Sequence, residues 1–515
     1  MEYQHNEIEV GYASGIAASH FILIAMKKED VLRAVCNFNW LTDEQRGLYE
    51  LSAGKLSAGK DNIASTELLL VHQVTKKLVK IVLAVLPTAC SRHNTPSRSH
   101  AVTAIVKANK CDVTENLEVH IVNYDPPSED APVTVRDIVY AQAVAVGRAF
   151  PTFSLKSSNV PLVSRGKVSI VLTALSNNDT ELLHEIKYTI SSVRYIQGLV
   201  DSPPNVLNCK TYVEHCQSLY DLYLKDRGCT LTIIQGEELQ QQGFGGIWGV
   251  GKASDNLPAF VVLSYVPKGK ESEKSVCMVG KGIVYDTGGL SIKVPPNMAG
   301  MKNDMGGSAA VLGAFITAVM CGVAGPLHGI LCIAENSVGP LATRPDDVHI
   351  LLSGKSVEIN NTDAEGRLVL SDGVYYASTR LNPSHIFDIA TLTGAQLIAT
   401  GRNHAAIYCN DDELEDLTIR VGKSTGDLVH PIPFAPEFYR KEFRSEVADM
   451  KNSVADRSNA QSSCAAQFVG NHIESYLDQG GKWCHIDMAG PVDTGSRATG
   501  YGVALLYKLA SALGK

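Results

Sequence analysis

Asp363 and Glu365 stand two residues apart in Asn361-Thr362-Asp363-Ala364-Glu365-Gly366-Arg367, with a glycine and an arginine directly behind them. In an extended backbone, side chains at i and i+2 project to the same side. Both carboxylates are therefore expected to aim at one point, with Arg367 close by. Oxygen donors converging beside a fixed cation suit a metal site prepared for an anion; a solvated acidic turn is the plain alternative. A second group of residues favours the metal. Lys281, Asp286 and Lys293 lie in KGIVYDTGGLSIK behind the apolar run 276–279, and Asp304 lies in MKNDMGG ahead of the apolar helical pattern 309–320. All of them are expected on Gly-rich turns between regular elements. Carboxylates with few imidazoles suit hard or borderline divalent ions such as Mn, Mg or Zn. Four acids in one small pocket call for more than one positive charge.

The elements that must position these residues follow from the hydrophobic pattern. In the first part of the chain, 21–26, 79–85, 117–122 and 168–175 read as strands and 135–150 as a helix. The polar, basic, Pro-containing segment 91–100 reads as a solvated loop rather than a phosphate site built from Arg92, His93 and Arg98. Residues 177–180 supply a cap for a helix over 181–200, which Pro203-Pro204 stops. Beyond it, strands at 231–234, 259–265, 276–279, 329–333, 386–390, 406–409 and 483–488 alternate with helices, among them 308–320 and 367–379. This alternation predicts an α/β protein of two domains. A smaller N-terminal α/β domain spans 1–177. A larger domain spans 178–515, begins with a linking helix over 178–202, and holds a mixed, mainly parallel sheet flanked by helices. Ligands of such sheets bind just beyond the carboxyl ends of strands, where Lys281, Asp286 and Thr391 are expected.

Composition narrows the classes of function. The chain has 515 residues, enough for two or three domains, with 45% hydrophobic and 19% charged residues and a net charge of −8. That acidic balance argues against a general nucleic-acid binder. Twelve cysteines are scattered without a CxxC pair and read as reduced, buried thiols. No stretch has the charge order of a secretory signal or the length of a membrane span, so no membrane association and a cytoplasmic location are expected. Residues 246–253 nearly match a phosphate loop, but Ala253 has no hydroxyl for magnesium. His184-Glu185 has Tyr188 where a zinc protease needs its second histidine, and no Gly-x-Ser-x-Gly elbow is present.

NTDAEGR, with VGKGIVYDTGGLSIK and MKNDMGG before it, resembles the leucyl aminopeptidase family of di-metal cytosolic exopeptidases. The likeness continues through Ala334-Glu335-Asn336-Ser337, Arg344-Pro345-Asp346-Asp347 and DIATLTGA from Asp388, and closes with HIDMAG from His485 and ATGYGV from Ala498. Segments 334–347 and 448–453 look most like the family's animal probable aminopeptidase-like branch. The resemblance implies two divalent ions per subunit, Zn or Mn or Mg, bridged by Asp286 and Glu365. Lys281 and Asp304 would complete one ion's site and Asp363 the other's, with the Lys281 amine neutral and its pKa depressed by the ions. Lys293 would stay charged and stabilise the oxyanion, and Arg367 would hold a bicarbonate. Met301 would line an apolar side-chain pocket, and Thr391, Leu392 and Gly394 the substrate path. Ser462-Ser463 before Ala465-Ala466 departs from the family's usual Gly or Thr and bears on substrate preference. Peptides with a free N-terminus and a homohexamer are the implied partners. The rival from another class is a catalytically weak scaffold or nucleic-acid binder that keeps the fold, as a DNA-binding bacterial relative suggests; all seven metal and basic residues being present favours the enzyme.

Overall fold

The structure is a computed structural model, and it describes residues 7–13, 16–123, 133–157, 165–173 and 179–514. The chain divides into two compact units, 1–194 with 422–428, and 195–421 with 429–515. The division falls inside the helix Thr180–Asp201. The expected boundary at 177/178, residues 177 and 178 of the expected cap and the end of the strand expected over 168–175 lie outside the described residues; Asp179 caps the helix, its side chain accepting from the Leu182 N–H at 2.8 Å.

The first unit is built on strands β1 (Ile8–Gly11), β2 (His20–Ala25), β3 (Ala64–Val71), β4 (Leu78–Val85), β5 (Leu117–Val122) and β6 (Val168–Leu172), in the order β1-β6-β5-β2-β4-β3. All pairings are parallel except β3 with β4. Strands β2, β5 and β6 are buried along their whole length, as parallel strands covered on both faces must be. Phe21, Leu23 and Ala25 pack with Phe38, Tyr49 and Ala53 in one core. The last two lie on the helix Asp43–Gly54, whose start Thr42 and Gln45 close with a reciprocal capping box. Segment 91–100 is the expected exposed loop over 91–93, but it turns inward from Thr95 and enters the helix Ser99–Asn109. Arg98 is buried and donates to the carbonyls of Pro96 (2.7 Å) and Thr88 (3.1 Å), so its charge anchors backbone instead of awaiting a phosphate.

The second unit carries β7 (Cys229–Gln235), β8 (Ala259–Tyr265), β9 (Ser275–Asp286), β10 (Leu327–Asn336), β13 (Pro383–Ala390), β14 (Ala405–Cys409), β15 (Val429–Pro431) and β17 (Lys482–Asp487) in one sheet. Strands β11 (Val348–Ile350), β12 (Ser356–Glu358) and β16 (Met450–Lys451) form a small second sheet. The large sheet runs β15-β14-β17-β13-β9-β10-β8-β7. Its centre, β17-β13-β9-β10, is parallel, and antiparallel pairs flank it. Helices Gly306–Met320 and Gly366–Arg380 pack against β9. The phosphate-loop look-alike is instead a short helix, Gly245–Gly251, whose first amides donate to Asp372. The cysteines are free; eight are buried, whereas Cys36 and Cys90 are exposed. Among the described residues no helix is long and apolar enough to cross a membrane.

Candidate metal centre

Lys281 is not on a turn, as its glycine neighbours suggest, but well inside β9. Gly280 and Gly282 flank it because a Cβ at Gly280 would run into the Ser308 and Gly307 backbone, and one at Gly282 would lie 2.8 Å from the Cys332 carbonyl. In a regular strand Lys281 and Asp286, five apart, would face opposite ways. The pairing with β10 resolves this: Cys332 stands opposite Lys281 and Ala334 opposite Ile283, but Asn336 stands opposite Asp286. One extra residue in β9 forms a bulge that flips the alternation and returns Asp286 to the side of Lys281.

The acidic heptapeptide also reaches the site by a route other than the expected one. Residues 361–364 form a turn closed by Ala364 N–H on the Asn361 carbonyl (3.2 Å), and Glu365 already has helical dihedrals as N-cap of Gly366–Arg380. The turn nevertheless brings both carboxylates together: one oxygen each from Asp286, Asp363 and Glu365 lies within 4.8 Å of the others. Lys281 Nζ lies 2.8 Å from Asp304 and 2.9 Å from Glu365, and donates to the Thr391 carbonyl at 3.0 Å. Lys293 Nζ lies 2.8 Å from Asp286 and 2.5 Å from Asp363. Thr391 Oγ1 donates to Asp304 Oδ1 at 2.7 Å. The five acidic and lysine positions expected as metal ligands, with Lys293 and Thr391, are thus one cluster. Gly366 makes room for it, since a Cβ there would fall 2.6 Å from Lys281 Cε.

Of the remaining expected site residues, Met301 opens a short 3-10 turn that leads into Asp304 and is half-buried. Leu392 N–H donates to Asp487 at 3.1 Å. Gly394 is exposed at the start of the helix Gly394–Ala399, which Thr393 caps. Arg367 is buried beneath the acids, donates from Nη1 to the Asn452 carbonyl at 2.9 Å, and lies over the Phe468 ring. Its Nε has no hydrogen-bond partner among the described residues.

Two asparagines that organise the site carry no assigned role in the sequence reading. Asn336 donates to Asp286 Oδ1 (2.8 Å) and to the Thr362 carbonyl (3.0 Å), tying β10 to the heptapeptide. Asn452 donates to the carbonyls of Asn361 (2.7 Å) and Ala364 (3.2 Å) and accepts from the amides of Asn360 and Asn361. Both stand in motifs noted above for their resemblance, which was the available signal.

The electrostatics describe a cluster short of positive charge. Burial pushes Glu365 up to about 8, with Asp286 and Asp304 adding to the rise against the two lysines. Burial likewise lifts Asp304 to about 6, and Asp286 adds to it. Burial opposes the charge on Lys281, but Asp304, Glu365 and Asp286 outweigh it and raise its pKa. The depressed value that the resemblance implies for Lys281 would require cations beside the amine. Glu365 Oε2 is buried without a hydrogen-bond partner among the described residues, a cost that buried charge bears only when something pairs with it. Hard oxygen donors, one of them unsatisfied, around an excess of negative charge fit divalent cations.

A mixed α/β sheet with an acidic, cation-ready centre at the carboxyl ends of its middle strands defines the class. The profile described as the cytosol aminopeptidase family, catalytic domain, matches residues 194–507, and the M17 aminopeptidase N-terminal domain 2 matches residues 46–159. The human probable aminopeptidase NPEPL1 is 47% identical over 437 residues, covering 83% of this chain and 79% of its own. Leucine aminopeptidase 1 of Caenorhabditis elegans is 42% identical over 429 residues, covering 83% of each. The structure of leucyl aminopeptidase from Trypanosoma brucei in complex with bestatin matches at a TM-score of 0.86 and 34% identity, over 99% of this chain and 96% of that one. The chain belongs to the M17 cytosol aminopeptidase family.

Proposed function

We propose that this protein is a metal-dependent aminopeptidase that releases an apolar N-terminal residue, leucine or one like it, from peptides. The observation that carries the reading is the convergence of Asp286, Asp304, Asp363 and Glu365 around two lysines, with Glu365 Oε2 unpaired. Asp286 and Glu365 would hold both of two divalent ions, Lys281 and Asp304 one of them, and Asp363 the other. Such ions, when bound, polarise a peptide carbonyl and acidify water near neutral pH.

The chain's own residues do the rest. Lys293 keeps its proton against Asp286 and Asp363 and faces the charge that develops on the carbonyl oxygen. Arg367, whose Nε has no hydrogen-bond partner among the described residues, would hold a bicarbonate-sized anion, which would supply a base for the water's proton. Thr391 fixes Asp304, while Leu392 and Gly394 line the path of the peptide. Met301, flexible and half-buried beside Asp304, suits an apolar first side chain. A cytoplasmic homohexamer belongs to the same reading.

Metal-stripped protein is tested against a panel of aminoacyl fluorogenic substrates, with Mn or Zn added back and bestatin as inhibitor. Metal restores release of leucine or methionine, and Asp363→Ala and Lys293→Ala each lower kcat by roughly 10²–10³-fold or more. Turnover indifferent to chelation overturns the mechanism. Absence of turnover across the panel favours the scaffold reading.

A further inference from the structure

A second group of donors lies in the first unit, on none of the elements that carry the acidic cluster. His20 opens β2, and Cys111 and Glu115 lie in the turn that joins the helix Ser99–Asn109 to β5. One donor atom from each lies within 4.8 Å of the other two. His20 is 6% exposed, and its Nε2 is 2.8 Å from the Asn109 carbonyl. A carbonyl only accepts, so Nε2 carries the ring proton and Nδ1 presents a lone pair with no hydrogen-bond partner among the described residues. A carbonyl holding the far ring N–H is the support that metal-bound histidines use to fix tautomer and orientation. The Glu115 carboxylate is exposed and makes no hydrogen bond or ion pair among the described residues. Cys111 Sγ has only a weak contact, 3.6 Å, with the Glu115 carbonyl.

The turn that presents the last two is held from both ends. Thr114 N–H and Oγ1–H donate to Asp112 Oδ1 at 3.0 and 2.8 Å, and Gly166 N–H donates to the Val113 carbonyl at 2.8 Å. Gly166 runs so close that any Cβ there would overlap the Glu115 backbone. Burial, then Glu115 and Asp112, push the Cys111 thiol up to about 11, so it keeps its proton until a cation replaces it.

We propose that His20, Cys111 and Glu115 form a binding site for a thiophilic divalent cation of the zinc type, separate from the acidic cluster. An imidazole nitrogen, a thiolate and a carboxylate give three of the four donors such an ion takes, and the exposed side of Glu115 leaves the fourth to water. On binding, the S–H bond breaks, sulfur bonds to the ion, and the proton leaves to solvent.

The chemistry of sulfur separates this site from the acidic cluster, whose donors are nitrogen and oxygen alone. Full-length protein is stripped of metal and titrated with Co2+. A thiolate-to-cobalt charge-transfer band in the near ultraviolet grows to one ion per chain, survives Asp363→Ala and disappears in Cys111→Ser. His20→Gln weakens the Co2+ affinity read from that band by roughly tenfold or more. Absence of the band in protein that circular dichroism shows to be folded overturns the proposal, as does a band that persists in Cys111→Ser, which would belong to exposed Cys36 or Cys90. Peptide hydrolysis stays intact in Cys111→Ser, so this test stands whether or not the aminopeptidase reading does.

Discussion

The two large sheets bury ionisable side chains in different ways. In the first unit, Glu118 and His120 sit two residues apart on β5 and pair with each other at 3.0 Å, so one strand's alternation brings partner to partner. In the second, Lys281, Asp286, Asp304, Asp363 and Glu365 come from a strand, a short turn and a helix start that are far apart in sequence. That convergence needs a bulge in β9, a glycine at 366 and two bracing asparagines. A locally paired polar group tolerates change around it, whereas a convergent cluster depends on every element that delivers a member.

The contrast breaks most sharply at Gly366. Gly366→Ala sets a methyl 2.6 Å from Lys281 Cε on a buried helix start, and overpacking of this kind costs about 1–3 kcal/mol. Because the displaced group is a proposed ligand, activity should fall by roughly two orders of magnitude or more, a loss on the scale of removing a transition-state donor; kcat against a leucyl substrate checks it, with circular dichroism reporting the fold. Asn452→Ala comes next. It unties the Asn361–Ala364 turn and strands buried amides and carbonyls, at about 1–3 kcal/mol. Denaturant unfolding measures the stability, and kcat should fall with it while Asn452→Asp recovers part of the loss.

The third effect is a slope. Glu365 has a folded pKa of about 8 against an ordinary 4.5, so the folded state prefers its protonated form. Its contribution to stability is full below about pH 4.5 and is lost as pH rises through about 8. Metal-stripped wild type should therefore lose Tm across that window more steeply than Glu365→Gln, and added Zn or Mn should flatten the difference. Equal slopes would show that Glu365 is not the group under strain. The smallest effect sharpens the comparison from the other unit. Thr42→Ala removes one half of the capping box on Asp43–Gly54 and costs about 1 kcal/mol of stability, with kcat unchanged.

Much of the architecture is legible along the chain because its strands are short apolar runs of the length the sheet requires. Residues 117–122 and 259–265 are strands with the expected limits. The short strands β11, β12 and β16 escape notice because they have two or three residues each and only partial burial. Strand β9 is read too short for a different reason: glycines at 280 and 282 imitate a turn, and only the helix packed on them explains their presence in a strand. Segment 91–100 is read correctly as a loop at its start, but its second half misleads, since a chain cannot announce that Arg98 will be buried and find two carbonyls to donate to.

The amino-acid sequence by itself determined which side chains are proposed to do chemistry: the acids at 286, 304, 363 and 365, the lysines at 281 and 293, and Arg367 are singled out by residue type and motif order. Tertiary structure decided how they meet. The parity of a strand holding both Lys281 and Asp286 is set by one extra residue opposite β10, and the upward pKa shifts of Asp304 and Glu365 by how deeply their neighbours bury them. Pairing register and burial are properties of contacts between distant segments, so no local pattern encodes them.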